Sequence, residues 1–368
     1  MKKYIIIAAS ALVALAACSK VETADLQKEI NFEVANSIKT KAFTGSVYNN
    51  GAFGTYAWFN NTDDFMVNEQ VDLSGGVWKT VDNTYYWPKT GSVSFISYSP
   101  FEGTSNTAGS TPVITKNKIT YTGVTAGSTD LMYADKASCN NNVNEVEDGT
   151  NAYTGVPTVF RHALAKLSFK VQANFTEYDD ATTGSHTEWV ITLNSFKIGG
   201  FKTTGDLELN LNGDGKSWDK PVTTVGTENY NVWTNLSGAT ADQELVAAPI
   251  NLTTTPVDLA AATGFVIPQV LDAGVQTVDI DAHIKTTLAN GKTIEEDFVK
   301  TINISEISTL KAWQMNENIV YTIKFKPTAH STDPGVTPHD DDPEDVIIKF
   351  DPAVADWTNV DAAATIQL

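Results

Sequence analysis

The feature that most constrains the fold is a strict alternation of apolar and polar residues that recurs along the chain. It is clearest in residues 167–171, 207–211, 278–282 and 319–325. Successive side chains of a strand point to opposite faces, so this period predicts antiparallel sheets with one solvated side. Turn signals recur between these segments, among them Asn290-Gly291, a two-residue hairpin signal. The sequence therefore predicts an all-β fold of β-sandwiches, in which residues 189–198 pair with residues 207–211.

The first 17 residues predict an export signal. Lys2 and Lys3 precede an apolar run over residues 4–14, which is shorter than the ~20 residues that a membrane-spanning helix needs. Leu15-Ala16-Ala17-Cys18 resembles the end of a bacterial lipoprotein signal, in which Cys18 is acylated and becomes the new N-terminus. An ordinary cleaved signal with an incidental cysteine is the alternative.

A strand follows that we expect to be temporary. Ile30, Phe32 and Val34 alternate with polar residues, so one face of this strand is apolar. Lys39 and Lys41 come next, in a polar segment that a trypsin-like protease could cut. We predict that the strand completes a β-sandwich during export. Its removal then leaves a groove that the C-terminal end of another copy fills.

Composition limits the classes of partner. About 350 residues remain after the signal, enough for two domains with sizeable cores. The formal net charge is −19, and loss of Lys2 and Lys3 makes it −21. Such a surface repels nucleic acid and anionic lipid headgroups. Cys139 is the only cysteine besides Cys18, so we expect no disulfide within the chain. It lies in a loop-like run, where we expect no catalytic role.

The end of the chain has two parts. Residues 327–345 contain four prolines and an acidic run, which predicts an extended linker. Calcium binding is the alternative, because carboxylates are suitable ligands, but the spacing of a calcium loop is absent. Apolar character then returns over residues 346–368, which we interpret as a donor strand segment with these apolar positions: Val346, Ile348, Phe350, Trp357, Ile366 and Leu368.

An aromatic series between residues 53 and 101 admits two interpretations. Exposed aromatics would stack on sugars, whereas alternating aromatics in a sandwich pack in the core, which we expect here. The series comprises Phe53, Tyr56, Trp58, Phe59, Trp78, Tyr85, Tyr86, Trp87, Phe95, Tyr98 and Phe101.

Catalytic signatures are absent from the sequence. The five histidines are dispersed, and none forms a zinc-binding pair with helical spacing. There is no G-x-S-x-G elbow and no glycine-rich phosphate loop. We therefore expect no enzyme, no cofactor and no metal site.

The order of several short motifs resembles that of the fimbrillin family of Bacteroidetes, the subunits of type V pili. The motifs are the lipobox, Ile30-Asn31-Phe32, Thr40-Lys41-Ala42, Tyr85-Tyr86-Trp87-Pro88, Val93-Ser94-Phe95, Tyr98-Ser99-Pro100, Phe160-Arg161-His162-Ala163-Leu164-Ala165-Lys166-Leu167, Phe265-Val266-Ile267-Pro268-Gln269, Trp313 before the Tyr321 strand, and Ile348-Lys349-Phe350 leading to Trp357.

The resemblance implies two transthyretin-like (Ig-like Greek-key) β-sandwich domains in tandem. It divides the chain into a signal (1–17), a lipidated propeptide (18–41), two sandwiches (42–156 and 157–326), a linker (327–345) and a donor segment (346–368). It also implies a cell-surface fimbrial subunit, active in adhesion and biofilm formation, that polymerises by strand exchange. The implied partners are other copies, accessory pilus subunits, a trypsin-like protease, and the outer membrane through the lipid on Cys18.

Two points differ from or extend this pattern. The family often has Arg before the cleaved bond, whereas this chain has Lys41, with Lys39 as a second candidate, and its single arginine, Arg161, falls in a structured junction. We expect a stalk subunit, which both accepts and donates a strand. A tip subunit, which would keep its last segment in its own sandwich, is an alternative. A second alternative is an anchor subunit, which would lack the cut. A third is a glycan-binding lipoprotein that keeps its lipid.

Overall fold

The computed structural model describes residues 29–35, 48, 50–101, 112–127, 129–134, 136–139, 155–180, 184–211, 231–239, 243–246, 248–259, 264–308, 310–327, 358–359 and 364–367. Over these residues the chain is all-β except for one helical turn, α1 (Ile304–Ile307). The all-β prediction is therefore confirmed.

The first ten strands surround or adjoin one core. They are β1 (Phe32–Ala35), β2 (Phe53–Phe59), β3 (Asp63–Ser74), β4 (Val77–Thr80), β5 (Val93–Ser99), β6 (Val113–Thr115), β7 (Lys118–Thr125), β8 (Met132–Ala134), β9 (Ala137–Cys139) and β10 (Val156–His162).

Seven of these strands form a closed barrel. The order is β2-β3-β4-β1-β10-β8-β5, and β2 also pairs with β5, which closes the ring; β9 adds to β5 outside it. These strands thus form one closed sheet rather than two separate sheets, because β2 pairs both with β3, its neighbour in the order, and with β5 at the opposite end of the order. Apolar side chains fill the interior, including Phe53, Trp87 and Phe95, each at most 2% exposed.

The remaining strands follow from residue 165 onward. They are β11 (Ala165–Ala173), β12 (Glu177–Asp180), β13 (Ser185–Gly199), β14 (Lys202–Asn210), β15 (Asn231–Ala239), β16 (Gln243–Glu244), β17 (Ile250–Asn251), β18 (Val257–Leu259), β19 (Phe265–Val266), β20 (Gln269–Val270), β21 (Thr277–Thr287), β22 (Thr293–Asn303), β23 (Ala312–Trp313), β24 (Glu317–Lys326), β25 (Thr358–Asn359) and β26 (Ala364–Gln367).

Two six-stranded sheets from this half share a second core. One sheet is centred on β11 and β24, and the other contains β12-β13-β21-β22. β11 and β24 run parallel to each other, so the antiparallel prediction is wrong for the pairing of residues 167–171 with residues 319–325. The rings of Phe169 on β11 and Phe196 on β13 lie 5.6 Å apart across the core, and Phe169 stacks on Tyr321 of β24 at 5.3 Å. The inward residues of the predicted strands, such as Ile280, are buried, as their alternation predicts.

A four-stranded sheet, β15-β14-β7-β6, draws strands from both halves of the chain. Its apolar face shares a third cluster with the outer side of the barrel, where Trp58, Ile96 and Tyr121 are buried. This sheet therefore packs against the outer surface of the barrel.

The predicted pairing of residues 189–198 with residues 207–211 is wrong. The first segment lies in β13 and pairs with β21, whereas the second pairs with β7 and β15. The cause is the short connection at Gly200, which has a φ of 78° and lies so close to the Val275 carbonyl oxygen that a Cβ would stand 1.7 Å from it. This glycine turns the chain out of one sheet and into another.

Two further local predictions concern the Asn290-Gly291 turn and Cys139. The hairpin at Asn290-Gly291 is confirmed, since it joins β21 and β22, but its predicted two-residue turn is wrong. The Leu288 N–H donates to the Lys292 carbonyl at 2.9 Å, which leaves a three-residue loop, and Gly291 in it has a φ of 79° and donates to the Leu288 carbonyl at 2.8 Å. The loop-like assignment of Cys139 is wrong, because Cys139 ends β9 and pairs with Val93.

Candidate functional site: the seat of the first strand

β1 is the strand that closes the barrel between β4 and β10. It runs parallel to β10, from Phe32 opposite Val156 to Ala35 opposite Val159. On its other side it runs antiparallel to β4, with Phe32 opposite Trp78. β1 alone lies between β4 and β10 in the described order of strands. Its removal would therefore open the barrel and leave two strand edges without partners.

We call the groove between β4 and β10 that β1 fills the β1 seat. Backbone hydrogen bonds also hold the residues that directly precede β1 in this seat. The Ile30 N–H donates to the Tyr85 carbonyl at 2.8 Å, and the Val156 N–H donates to the Asn31 carbonyl at 2.7 Å. Glu29 makes a further antiparallel bridge to Tyr86. The segment from Glu29 to Ala35 is thus held along its length, in the manner of an inserted strand.

The apolar face of β1 points into the barrel, as its alternation predicts. Ile30 is 1% exposed and Phe32 is 4% exposed. The Phe32 ring meets Phe53 and Phe95 edge-on, at centroid distances of 5.7 and 5.8 Å. Full burial of one such side chain contributes about 1.5–3 kcal/mol, so a vacated seat would expose a strongly apolar groove.

Gly155 allows β1 to approach β10 closely. A Cβ at this position would stand 2.6 Å from the Asn31 carbonyl oxygen and 2.9 Å from the Phe32 carbonyl carbon. These are backbone atoms that cannot swing away as a flexible side chain can. The absence of a side chain at Gly155 is therefore a condition for seating the strand.

Tyr48 lies at the end of the seat where β1 ends, because it packs on Phe160, the residue of β10 after Val159, which is opposite Ala35. Its ring is 6% exposed and stacks on Phe160 at 4.9 Å with an interplanar angle of 22°. It also meets Trp78 edge-on at 5.4 Å and Phe53 at 6.2 Å. Burial raises the pKa of Tyr48 well above its ordinary value, so the phenol stays neutral.

A polar network fixes the chain around Tyr48. The hydroxyls of Tyr48 and Ser99 share a hydrogen bond of 2.7 Å. The Asn50 Nδ2 donates to Ser99 Oγ at 2.8 Å and to the Asp130 carbonyl at 2.9 Å. The Asp130 carboxylate lies 2.6 Å from Nδ1 of His162 on β10. Residues 48 and 50 are thereby tied to both β5 and β10.

The rim of the seat carries one further polar pair. The Tyr85 hydroxyl donates to Glu69 Oε1 at 2.7 Å, and partial burial followed by this carboxylate raises the pKa of Tyr85 to about 12. The phenol therefore remains a donor at neutral pH. An apolar groove with neutral phenols is suited to hold a strand rather than to transfer protons.

Most of the predicted processing and donor residues lie in parts of the chain that the structure does not describe. Those outside the described residues are Cys18, Lys39, Lys41, Val346, Ile348, Phe350, Trp357 and Leu368. The acidic run of the linker also lies outside them. Ile366 lies in β26, opposite Phe325 of β24.

The described part of the C-terminal segment pairs with its own chain. β25 and β26 both run parallel to β24, with Glu317 opposite Thr358 and Ile323 opposite Ala364. We expected a last strand kept in its own sandwich from a tip subunit, so this pairing favours that alternative. A donor would have to leave β24 first.

The other residues that the sequence singled out have structural positions in strands and cores. Burial raises the pKa of Cys139 to about 12, which makes its thiol a poor nucleophile. Arg161 lies in β10, as its predicted place in a structured junction requires. Most members of the aromatic series are buried or half-buried, as expected for a core, and Tyr86 is the exception at 46% exposed.

Two residues of the seat were not singled out from the sequence. Tyr48 is a lone aromatic among polar residues, and Gly155 looked like part of a domain junction. The available signal for Tyr48 was a large aromatic residue in the mostly polar stretch between residues 44 and 51. No sequence signal marks a glycine that is required by a neighbouring backbone rather than by its own φ.

Neither a metal centre nor a membrane helix emerges from the described residues. Within them, no three His, Cys, Asp or Glu side chains lie close enough to hold a metal ion. The helix found there is too short to cross a bilayer. One open groove of about 500 Å³ lies between β2, β3 and the β6–β7 hairpin, lined in part by Tyr56, Trp58 and Lys116.

Comparison of the sequence with models of protein families shows the family to which the chain belongs. A family model described as fimbrillin-like matches residues 40–357. The chain belongs to the fimbrillin-like family. No curated protein matches it.

Several solved structures are similar to the chain at low identity. A fimbrial protein from Bacteroides vulgatus ATCC 8482 is 16% identical, with 81% of this chain and 95% of that chain covered and a TM-score of 0.48. A putative cell adhesion protein from Bacteroides uniformis ATCC 8492 is 17% identical, with 82% and 93% covered and a TM-score of 0.41. Another from Bacteroides eggerthii DSM 20697 is 11% identical, with 93% and 98% covered and a TM-score of 0.41.

Proposed function

We propose that this protein is a structural subunit of a cell-surface fimbria that functions in adhesion and biofilm formation. The observation that carries the proposal is the position of β1: one short strand near the N-terminus closes the barrel and buries Phe32 at its centre. Membership of the fimbrillin-like family supports the same function. The partners are other copies of the chain and accessory pilus subunits.

Export precedes assembly in this proposal. The precursor reaches the outer membrane as a lipoprotein acylated on Cys18, and several acyl chains hold it firmly, because each buried CH₂ contributes about 0.8 kcal/mol. Replacement of Cys18 with alanine should stop lipid labelling and strand the precursor before surface delivery. Normal labelling of that variant would refute this step.

Cleavage then makes the seat of β1 available. A trypsin-like protease cuts after Lys41 or Lys39, and the strand leaves with its lipid. The exposed edges of β4 and β10 and the apolar interior favour pairing with another chain. The alternating apolar residues of the segment 346–368 suit this seat. Contacts of this head-to-tail kind do not close into a ring, so they give filaments.

The domain organisation is part of the proposal. We propose that residues 42–156 and 157–326 form two transthyretin-like domains in tandem, with β10 of the second range completing the barrel of the first. Support comes from two cores, one inside the barrel and one between the two later sheets, and a third cluster joins the two halves. The linker 327–345 would let the donor segment reach a neighbouring subunit.

A double substitution of the two lysines tests the proposal. The variant Lys39→Ala/Lys41→Ala should reach the surface, keep β1 and remain monomeric, whereas the wild type should start at Ala42 or Thr40 and give a ladder of multimers. N-terminal sequencing and gel electrophoresis of surface protein measure both. A wild-type ladder from the variant would refute the cleavage site.

A tip subunit is a second candidate, supported by the pairing of β25 and β26 with β24 of the same chain. A tip accepts a strand but donates none. Truncation after Pro343 separates the two roles, because it should abolish filament growth by a stalk subunit and leave a tip subunit unaffected.

A glycan-binding lipoprotein is a third candidate, supported by the open groove beside Tyr56 and Trp58, whose rings stack at 6.3 Å. It would keep β1 and its lipid for life. Binding of the purified precursor to a glycan array, lost in Tyr56→Ala, would favour this function. An N-terminus at Ala42 on surface protein would count against it.

A further inference from the structure

We propose that Tyr48 is a stop at one end of the β1 seat, and that it prevents a strand seated there from placing an inward side chain beyond the position of Val34. This inference rests on the proposed function, because it concerns the strand that enters after β1 has left. It assigns to Tyr48 the role of a positioning residue that sets the register of the incoming strand.

The register of β1 shows where the stop lies. Val34 is opposite Thr158 in the parallel pair of β1 and β10. Inward positions of a strand recur every two residues, so the next inward position of a longer strand would fall opposite Phe160. The Tyr48 ring already stacks on Phe160, at a centroid distance of 4.9 Å. An incoming side chain at that position would meet this ring.

Tyr48 is held well enough to act as a stop. Its ring packs against Phe53 and Trp78 as well as Phe160, and it is 6% exposed. Its hydroxyl is bonded to Ser99, which also accepts from Asn50. Movement of the ring would break these contacts together.

Tyr48 also stays with the subunit after maturation. It follows Lys39 and Lys41 in the sequence, so a cut at either residue removes β1 and leaves Tyr48 in place. The vacated seat then offers three inward positions, those now filled by Ile30, Phe32 and Val34. The run Val346, Ile348 and Phe350 supplies three alternating apolar side chains, as many as the described part of β1 and its N-terminal extension place in the seat.

A pair of synthetic peptides tests the stop. A protease site placed between residues 36 and 47 of the full chain allows a cut that does not depend on Lys39 or Lys41. Competition for the cut protein then compares two labelled peptides of residues 28–37, one native and one with Asn36→Leu, which continues the apolar alternation of Ile30, Phe32 and Val34 by one more position.

The stop predicts a change in the affinity ratio of the two peptides. For the wild-type protein, Asn36→Leu should give no gain in affinity. For Tyr48→Ala, which opens space beside Phe160, the same change should strengthen binding about tenfold, since a buried apolar side chain is worth at least that factor. Tyr48→Phe keeps the ring and should behave as the wild type does.

The outcomes separate the stop from the proposed function. A tenfold gain from Asn36→Leu on the wild-type protein would overturn the stop, and it needs no variant that folds poorly. The same ratio on Tyr48→Ala and on the wild type would also overturn it. If the native peptide never exchanges into any cut protein, β1 is not replaceable, and both the stop and the proposed function fail.

Discussion

At the scale of single residues, the seat of β1 depends on one position that lacks a side chain. Gly155 lies against the backbone of Asn31 and Phe32, with no room for a Cβ. Glycine is required here because the backbone of the neighbouring strand lies so close, and not because of the φ angle of Gly155. Backbone atoms at both sides of this contact leave little freedom for relaxation, so a small change in volume should have a large effect.

Substitution of Gly155 with alanine should therefore loosen β1. We expect a loss of about 1–3 kcal/mol in the unfolding free energy of the precursor, the usual cost of overpacking, and faster cleavage at an engineered site after residue 35. Gly127→Ala is the matched control, because a Cβ there meets no atom within 4 Å. Equal stability of the two variants in urea titration would show that Gly155 is not a condition for seating the strand.

Glu317 gives a prediction with a pH dependence. The residue is 7% exposed, and burial raises the pKa of its carboxyl from 4.5 to about 6, although the Gln314 N–H bonded to it at 2.9 Å lowers the pKa in part. Between these pKa values the folded chain holds a proton that the unfolded chain has released. The stabilising contribution is thus complete below pH 4.5 and is lost as the pH rises through 6.

The variant Glu317→Gln removes the charge and keeps an oxygen acceptor for Gln314. It should match the wild type near pH 4 and exceed it by about 1–2 kcal/mol at pH 7.5, given 1.36 kcal/mol for each pKa unit. Urea titrations at the two pH values measure the difference. The exposed Glu177→Gln should change stability by less than about 0.5 kcal/mol at either pH. A Glu317→Gln variant that is weaker at pH 7.5 would contradict the raised pKa.

At the scale of elements, sequence period and strand pairing carry different amounts of information. The alternation of Ile30 and Phe32 predicted β1 and its inward face, because burial of one face imposes that period. Period does not encode the partner of a strand. The parallel pairing of β1 with β10 and of β11 with β24 could not be predicted for that reason, and the pairing predicted for β13 was wrong because Gly200 redirects the chain.

The two forms of the subunit should respond differently to a change in β1. Phe32→Ala should cost the precursor about 3–5 kcal/mol, since it removes a buried ring from the barrel. Under the proposed function the mature subunit in a filament has lost β1, so its stability should not change. Denaturation of precursor and of filament, each with and without the substitution, measures the contrast. An equal loss in both forms would show that β1 remains in the filament.

At the scale of the whole molecule, the proposed function makes β1 the link between export and assembly. The barrel is complete only while β1 is seated, so under this proposal the precursor is a closed monomer. Cleavage would convert it into an acceptor, and release of the last strand from β24 would convert it into a donor. The C-terminal segment therefore has two possible partners, β24 of its own chain and the seat of β1 in another copy.

Complementation between two disabled subunits tests this account most directly. A donor-only subunit carries Lys39→Ala/Lys41→Ala and keeps β1, and an acceptor-only subunit is truncated after Pro343 and is cut normally. Each should remain monomeric alone, and mixing them after protease treatment should give a dimer with one copy of each and nothing longer. Size-exclusion chromatography with mass determination measures this. A mixture that stays monomeric, or an acceptor-only subunit that forms filaments alone, would contradict the account.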